Sequence, residues 1–287
     1  MANLKEIRRR IRSVKNTQQI TKAMKMIAAA RLRKAQEALE AKRPYAKRLQ
    51  GVISTLATRA EAGDHPLLAV REAKKVLLLV LTSDRGMCGG FNVNINRVAV
   101  KYVAEHADQG IEFSVVGRKG QDFFRRRPQY TVQKNYEGVF EKIGFGSANE
   151  IGDDVVGQYV GQGFDAVYLV YNVFKSVISQ EVVVELLLPV QPEEEASDTE
   201  RLDFSYEPSK EAVLDEVLPL YVNVQIHRAI HESIASEMGA RMTAMDNATR
   251  NAADLIDKLT LTYNRARQAT ITKELMEIIG GAEALKG

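Results

Sequence analysis

Two long segments at the ends of the chain contain almost none of the residues that interrupt helices. The first proline is Pro44, the last is Pro219, and residues 1–50 contain no glycine. Residues 220–279 contain a single glycine, Gly239. Because proline costs about 3 kcal/mol and glycine about 1 kcal/mol inside a helix, both segments are predicted to be long continuous helices.

The apolar side chains of both segments recur at intervals of three and four residues. The N-terminal stripe consists of Leu4, Ile7, Ile11, Val14, Thr21, Met24, Ala28, Leu32, Ala35 and Leu39. The C-terminal stripe consists of Val217, Tyr221, Val224, Ile230, Ile234, Met238, Met242, Met245, Leu255 and Leu259. This spacing is typical of helices packed along one seam. The two segments are therefore predicted to pair as an antiparallel coiled coil.

The middle of the chain has a different pattern, in which short apolar runs alternate with candidate helices. The runs are Val76–Thr82, Ile111–Val116, Ala166–Tyr171 and Val182–Leu188, and the candidate helices include Asn92–Ala107 and Ala148–Gln162. Such alternation predicts an α/β layer with a mainly parallel sheet. The predicted fold class is α/β, with a Rossmann-like globular domain inserted into a long antiparallel coiled coil.

These patterns also set the predicted domain boundaries. Residues 1–57 are assigned to the N-terminal coiled-coil helix, residues 75–190 to the globular domain and residues 208–287 to the C-terminal coiled-coil helix. The segment 191–207 contains the acidic tract PEEEASDTE and is predicted to be a solvated linker.

The charge of the chain is concentrated at its N-terminus. Residues 1–50 carry 15 Lys and Arg against three acids, although the net charge of the whole chain is only +3. A basic helix of this kind favours an acidic protein partner or a polyanion. A coiled-coil nucleic-acid-binding protein is one alternative. Against it, the basic residues interleave with the apolar seam, and no aromatic residue precedes Tyr45.

The loop Ser83–Gly90 is the best candidate for an active site. Glycines between a strand and a helix can bind phosphate, but SDRGMCGG matches neither common phosphate-binding pattern and has no lysine. The alternative is a tight strand-to-helix turn. Cys88 is the only cysteine, which excludes an internal disulfide and makes a reducing compartment the default. As a nucleophile Cys88 lacks a histidine motif to activate it.

His227 and His231 have the spacing of two metal ligands on one face of a helix. The segment reads HRAIH, so the glutamate of a zinc-protease motif is missing. The alternative to a zinc site is a pair of histidines on the helix surface.

Hydropathy and the N-terminal sequence bear on location. The longest uninterrupted apolar run is Val76–Leu81, far short of the 18 residues typical of a membrane span. The basic N-terminus has no apolar segment behind it and is not a secretory signal. It is superficially similar to a transit peptide, but its helical pattern continues past residue 30 and is interpreted as mature structure.

Four stretches resemble the gamma subunits of F-type ATP synthases. They are the N-terminal sequence up to Gln36, SDRGMCGGFN at 83–92, GRKG at 117–120, and the segment from Ser236 that begins SEMGARMTAMDNATR. The resemblance extends over the whole chain in the same order. Met87 occupies a position where the family more often has leucine, which is a volume-conserving change.

The resemblance implies a rotor with no catalytic site and no cofactor of its own. The coiled coil would be a shaft inside a ring of three alpha and three beta subunits, and the head would bind the epsilon subunit and the membrane c ring. Proton flow would turn this shaft, which would drive the beta subunits through their binding states. No nucleic acid and no membrane span belong to this interpretation.

The family's contact positions are carried over residue by residue. Those for the beta subunit correspond to Met24, Arg241, Arg267, Gln268, Thr272 and Glu274. Those for the c ring and epsilon correspond to Tyr206 and Glu207. The resemblance also places Ile271, Leu275, Ile278 and Ile279 at a helical tip that enters an apolar bearing.

The resemblance implies a bacterial location. Chloroplast members carry an inserted cysteine pair for redox control, which a chain with a single cysteine lacks. The sequence begins directly at the family motif, so a peripheral position on the cytoplasmic face of a bacterial plasma membrane is expected.

Overall fold

The computed structural model describes residues 4–59, 65–141, 145–191 and 209–284. Its elements are α1 (Leu4–Arg59), β1 (Lys75–Leu81), α2 (Phe91–Glu105), β2 (Gly110–Val116), α3 (Arg118–Arg125), β3 (Val132–Tyr136), α4 (Phe145–Gly161), β4 (Ala166–Phe174), β5 (Gln180–Leu188) and α5 (Lys210–Ala284). Two long terminal helices and a central mixed sheet confirm the predicted fold class. Tyr206, Glu207 and the acidic tract lie outside the described residues.

The described residues form two compact units. The smaller unit contains the described parts of Met1–Ile27 and Met242–Gly287, and the larger unit is Ala28–Arg241. Within the described part of the chain, no helix is long and apolar enough to cross a membrane.

The larger unit is built on a five-stranded sheet with strand order β3-β2-β1-β4-β5. The first four strands are parallel, and β5 runs antiparallel to β4. Strand β1 is central, and its residues Val76–Leu81 are completely buried. A continuous apolar run is the pattern expected of a parallel strand that is covered on both faces.

The GRKG motif comprises Gly117, between β2 and α3, and the first three residues of α3. Gly117 has a φ of 88°, and a Cβ atom there would lie 2.1 Å from the carbonyl oxygen of Thr82. The backbone N–H of Gly120 donates a hydrogen bond of 2.8 Å to Thr82 Oγ1. This motif therefore packs directly on the end of β1, at a distance that only glycine allows.

Helix α5 is buried on most of its sides within the larger unit. Its residues Ile230, Ile234 and Met238 share one apolar cluster with Leu32 and Ala35 of α1 and with the sheet. A helix between a second helix and a sheet must bury two faces, which one apolar seam cannot provide. The polar residues on its other positions are consequently buried as well.

The structure contradicts the sequence interpretation of the two histidines. His227 and His231 are 8% and 2% exposed, so the prediction of histidines on the helix surface is wrong. His227 lies seven residues before Ile234 and His231 lies seven residues before Met238, so both histidines share the buried face of the C-terminal stripe.

The smaller unit contains the paired ends of α1 and α5. Thr21 Oγ1 lies 2.7 Å from Thr249 Oγ1, and the ammonium of Lys25 lies 2.5 Å from a carboxylate oxygen of Asp246. Because the α1 positions rise while the α5 positions fall, the helices are antiparallel, as predicted for the coiled coil.

One predicted seam position is wrong. Leu255 is 45% exposed, whereas Ala252 is buried. From Met245, steps of four and three residues lead to Thr249, Ala252 and Ile256. The heptad register therefore places Leu255 outside the seam.

Candidate functional site

The loop Ser83–Gly90 lies at the carboxyl end of β1 and is held by its own side chains. The backbone N–H of Ser83 donates to Asn92 Oδ1 at 2.9 Å, and Ser83 Oγ donates to the carbonyl oxygen of Arg85 at 2.7 Å. At the tip, Met87 has a φ of 64° and is 62% exposed. A left-handed conformation is uncommon for a residue other than glycine.

Asp84 ties this loop to the ends of two neighbouring strands. Its Oδ1 accepts hydrogen bonds from the backbone N–H of Arg118 at 3.1 Å and of Gly138 at 3.3 Å. The turn after β2 and the turn after β3 are thereby fixed to the loop after β1.

Helix α5 holds the loop from another side. Arg241 Nη2 donates to the carbonyl oxygen of Gly86 at 3.1 Å. The same nitrogen lies 2.5 Å from Glu237 Oε1, and the two side chains are only 10% and 3% exposed. Burial is the largest influence on Glu237 and raises the pKa of its carboxyl to about 7, although Arg241 and Arg31 oppose the increase.

The space that a nucleotide would need beside this loop is filled. In open α/β sheets, ligands bind at the carboxyl ends of the strands where the strand order reverses. Here Glu237, Met238 and Arg241 line the cleft beside the loop at the carboxyl end of β1, and the remaining cavity is about 20 Å³. Small-molecule sites typically measure about 300–1,000 Å³. The geometry favours a tight strand-to-helix turn over a nucleotide site.

Cys88 is poorly suited to be a nucleophile. Burial, followed by the nearby carboxylate of Glu237, raises the pKa of its thiol. Its sulfur accepts a hydrogen bond of 3.2 Å from Asn92 Nδ2. Reactive cysteines have the opposite environment, with a lowered pKa and an accessible sulfur.

The two buried histidines of α5 contact each other. Their Nε2 atoms are 3.2 Å apart, and their rings meet edge to face with centroids 4.5 Å apart. Among the described residues, no group of three or more His, Cys, Asp or Glu side chains could hold a metal ion. The pair is part of the packing of the larger unit.

Four of the predicted beta-contact residues lie together on the last turns of α5. Arg267 and Glu274 share a helical face with Ile271 and Ile278, since these positions are separated by steps of four, three and four residues. All four side chains are exposed in the chain.

The other two residues of this group lie on the adjacent face. Gln268 and Thr272 are followed on that face by Leu275 and Ile279, and all four are exposed. We call the eight residues of these two faces the C-terminal surface. It combines apolar side chains with hydrogen-bonding groups, a mixture that is typical of protein interfaces.

The structure places the remaining predicted contacts elsewhere. Met24 is half-buried beside the Lys25–Asp246 ion pair of the coiled coil. Arg241 is buried against the Ser83–Gly90 loop.

Sequence reasoning missed Glu237. Glu237 could have been recognised because it lies four residues before Arg241, which is the spacing of an ion pair on one helical face.

Comparisons with known proteins identify the family. Residues 3–285 match the family model for ATP synthase. The chain is 52% identical to the ATP synthase gamma chain of Geobacter metallireducens over 289 residues, and 51% identical to that of Pelotomaculum thermopropionicum over 286 residues. Both matches cover the whole of each chain.

Solved structures give the same result for the fold. A chain of the central stalk and c ring of the Tetrahymena thermophila mitochondrial ATP synthase is 28% identical, with a TM-score of 0.64, covering 80% of this chain and 99% of that one. A chain of the Euglena gracilis mitochondrial enzyme has a TM-score of 0.73 at 23% identity, covering 98% and 94%. The protein therefore belongs to the ATP synthase gamma-chain family.

Proposed function

We propose that this chain is the central rotor of a bacterial ATP synthase and has no catalytic site of its own. The support is the family membership together with the C-terminal surface, where eight apolar and polar side chains at the end of a long helix are all exposed. A surface of that composition at a helix end fits a shaft that turns against partner subunits.

The proposed partners are three alpha and three beta subunits, the epsilon subunit and the membrane c ring. Residues 1–57 and 208–287 would form the shaft and residues 75–190 the head, with 191–207 as the linker. Tyr206 and Glu207 would contact the c ring or epsilon. The complex would lie on the cytoplasmic face of the plasma membrane, with this chain as a peripheral component.

The basic residues of α1 support a contact with acidic loops of the beta subunits. Arg8, Arg9, Arg12 and Lys15 are all exposed. Guanidinium groups form charge-assisted and often bidentate hydrogen bonds with carboxylates. This cationic face, together with the C-terminal surface, would give the shaft different contacts with each beta subunit at any moment.

Those differences are the physical basis of coupling in this proposal. A rotor can change the nucleotide affinity of a beta subunit only if it contacts the alternative beta conformations with different free energies. Rotation driven by the c ring would present a new face to each beta subunit in turn. Catalysis would remain on the beta subunits.

Reconstitution tests the proposal directly. Matched alpha and beta subunits would be purified with and without this chain and assayed for assembly and ATP hydrolysis. We expect one copy of the chain per three alpha–beta pairs and a large increase in hydrolysis. Absence of both binding and stimulation would refute the rotor function.

Substitution of Met24 tests a specific beta contact. Met24→Lys would place an ammonium group in a closely packed contact, where desolvation is costly. We expect ATP hydrolysis to continue with fewer protons pumped per ATP. Met26→Lys is the matched control, because Met26 is two residues away and lies on nearly the opposite face of the helix. Normal pumping in Met24→Lys would contradict the assigned contact.

Removal of residues 276–287 tests the C-terminal surface. Residues 271–282 are all exposed in the chain, so we expect the truncated chain to fold and to lose helical circular dichroism only in proportion to its length. In the complex, we expect lower hydrolysis and weaker retention of the rotor. Unfolding of the whole truncated chain would contradict this assignment.

A further inference from the structure

The guanidinium group of Arg241 joins three groups inside the larger unit. It pairs with Glu237 on the preceding turn of α5, donates to the carbonyl oxygen of Gly86 at 3.1 Å, and lies 4.0 Å from the sulfur of Met238. A planar guanidinium with five N–H donors can serve a carboxylate and a carbonyl at the same time. Lysine can reach either acceptor but does not have this fixed fork.

Glu237 determines where that guanidinium lies. Its side chain is 3% exposed, and a buried carboxylate is tolerated only with close polar partners. Arg31 of α1 and Asp84 of the loop also influence its charge, and Arg85 and Glu141 line the same small cleft. These other charged neighbours of Glu237 belong to α1 and to the loops. Arg241 is the charged partner that Glu237 has on α5 itself.

The loop that receives this contact has an uncommon backbone conformation. Met87 adopts a left-handed φ and directs an apolar side chain to solvent. Such conformations cost roughly 1–3 kcal/mol and persist where the surrounding structure fixes them. Asp84 fixes one side of the loop through Arg118 and Gly138, and Arg241 fixes the side that faces α5.

We propose that Glu237 is a positioning residue for the rotor. It orients Arg241, and Arg241 holds the Gly86 carbonyl, so the Ser83–Gly90 loop keeps one fixed position on α5 under load. The functional consequence rests on the proposed rotor function. The fixed loop itself is a property of this chain and can be tested on the chain alone.

Amide hydrogen exchange of the full-length chain provides that test. Three amides report on the loop: Ser83 N–H bonds Asn92 Oδ1, Phe91 N–H bonds the Cys88 carbonyl, and Lys119 N–H bonds the Ser83 carbonyl. Removal of a charge-assisted hydrogen bond should speed their exchange roughly ten- to hundredfold. We expect this increase in Glu237→Gln at pH 9, where the carboxyl of Glu237 is ionised in the wild type.

A neighbouring carboxylate on α5 supplies the control. Glu232 Oε2 accepts a hydrogen bond from the backbone N–H of Phe174 at 3.0 Å. Glu232→Gln should therefore affect exchange at Phe174 and leave the loop amides at the wild-type rate. Equal acceleration of the loop amides in Glu232→Gln and Glu237→Gln would overturn the proposal, because the effect would then be a general loosening of α5.

Two further variants decide the question if Glu237→Gln unfolds. Arg241→Lys keeps the charge pair and should accelerate exchange in the loop but not in the sheet. The exchanged pair Glu237→Arg with Arg241→Glu restores opposite charges, but a carboxylate at position 241 cannot donate to Gly86. We expect that double variant to fold with a rapidly exchanging loop. Wild-type loop exchange in either variant would overturn the positioning role.

The consequence proposed for coupling is measured separately, in the assembled enzyme. Arg241→Lys should lower the number of protons pumped per ATP hydrolysed, and Glu232→Gln should not. Fast loop exchange with normal pumping would show that the fixed loop is not needed for coupling. Failure of the chain to assemble with alpha and beta subunits would refute the rotor function and leave the exchange results to stand on their own.

Discussion

Titration of Glu237 should make the stability of the larger unit depend on pH near neutrality. Burial raises the pKa of this carboxyl from an ordinary value of 4.5 to about 7, against the opposing influence of Arg241 and Arg31. Unfolding exposes the carboxyl to water and returns its pKa to the ordinary value. When the pH lies between 4.5 and about 7, Glu237 therefore takes up a proton as the chain folds.

The sign of the effect follows from proton binding. Between pH 4.5 and about 7 the folded state binds more protons than the unfolded state, so stability falls as the pH rises. This contribution of Glu237 to the free energy of unfolding is fully present below pH 4.5 and is lost once the pH exceeds about 7. At about 1.4 kcal/mol per unit of pKa difference, it amounts to roughly 3 kcal/mol.

Glu237→Gln removes this titration while it keeps a side chain of nearly the same size. Unfolding in urea would be followed by near-ultraviolet circular dichroism, because the buried Tyr159 and Tyr171 report on the larger unit. We expect the difference in unfolding free energy between wild type and variant to change by roughly 3 kcal/mol from pH 4.5 to 8.

Glu216→Gln is the control for this measurement. Glu216 is an exposed carboxylate on the same helix, and its replacement should leave the pH dependence of wild type unchanged. If wild type and Glu237→Gln show parallel curves across this range, the carboxyl of Glu237 is not perturbed and the reasoning is refuted.

Two other predictions concern packing and the coiled coil. Gly152→Ala should lower the free energy of unfolding by roughly 1–3 kcal/mol, because its Cβ would lie 1.7 Å from Asn223 Oδ1. Gly157→Ala on the same helix meets nothing within 4 Å and should stabilise by about 0.5–1 kcal/mol; equal effects in urea titrations would contradict both. A hydrogen bond from Lys25 lowers the pKa of Asp246, so its contribution is present at neutral pH and lost in acid. Asp246→Asn should weaken acid-induced melting of the coiled coil, and an unchanged acid transition would refute this.

The fold was largely predictable from local patterns. Apolar runs indicated β1, β2, β4 and β5, and the scarcity of helix breakers indicated α1 and α5. Strand β3 was not predicted because its sequence, VQKNY, is mostly polar. As an edge strand it is covered on fewer sides, so it carries no apolar run that periodicity could detect.

The candidate site was less predictable because burial depends on the whole fold. Arg267 and Glu274 are exposed, as a partner contact requires, whereas Arg241 is buried within the chain. In the sequence, Arg241, Arg267 and Glu274 are all charged residues on the same predicted helix. Only the packing of α5 against the Ser83–Gly90 loop distinguishes them, and that packing joins residues more than 150 positions apart.

The buried polar residues of α5 have a physical role that apolar packing cannot supply. Apolar contacts are non-directional, so they resist separation of a helix from a sheet better than they resist sliding or rotation. Hydrogen bonds resist both sliding and rotation, because each bond requires a particular distance and angle. Bonded pairs between α5 and the head include Arg228 with Glu185, Glu232 with Phe174, Ser233 with Asn172, Ser236 with Asn172 and Arg241 with Gly86. They lie along about four turns of the helix, so a twist about its axis must break several of them together. A helix attached in this way can transmit torque from the head, which is the property that the proposed rotor function demands of this segment.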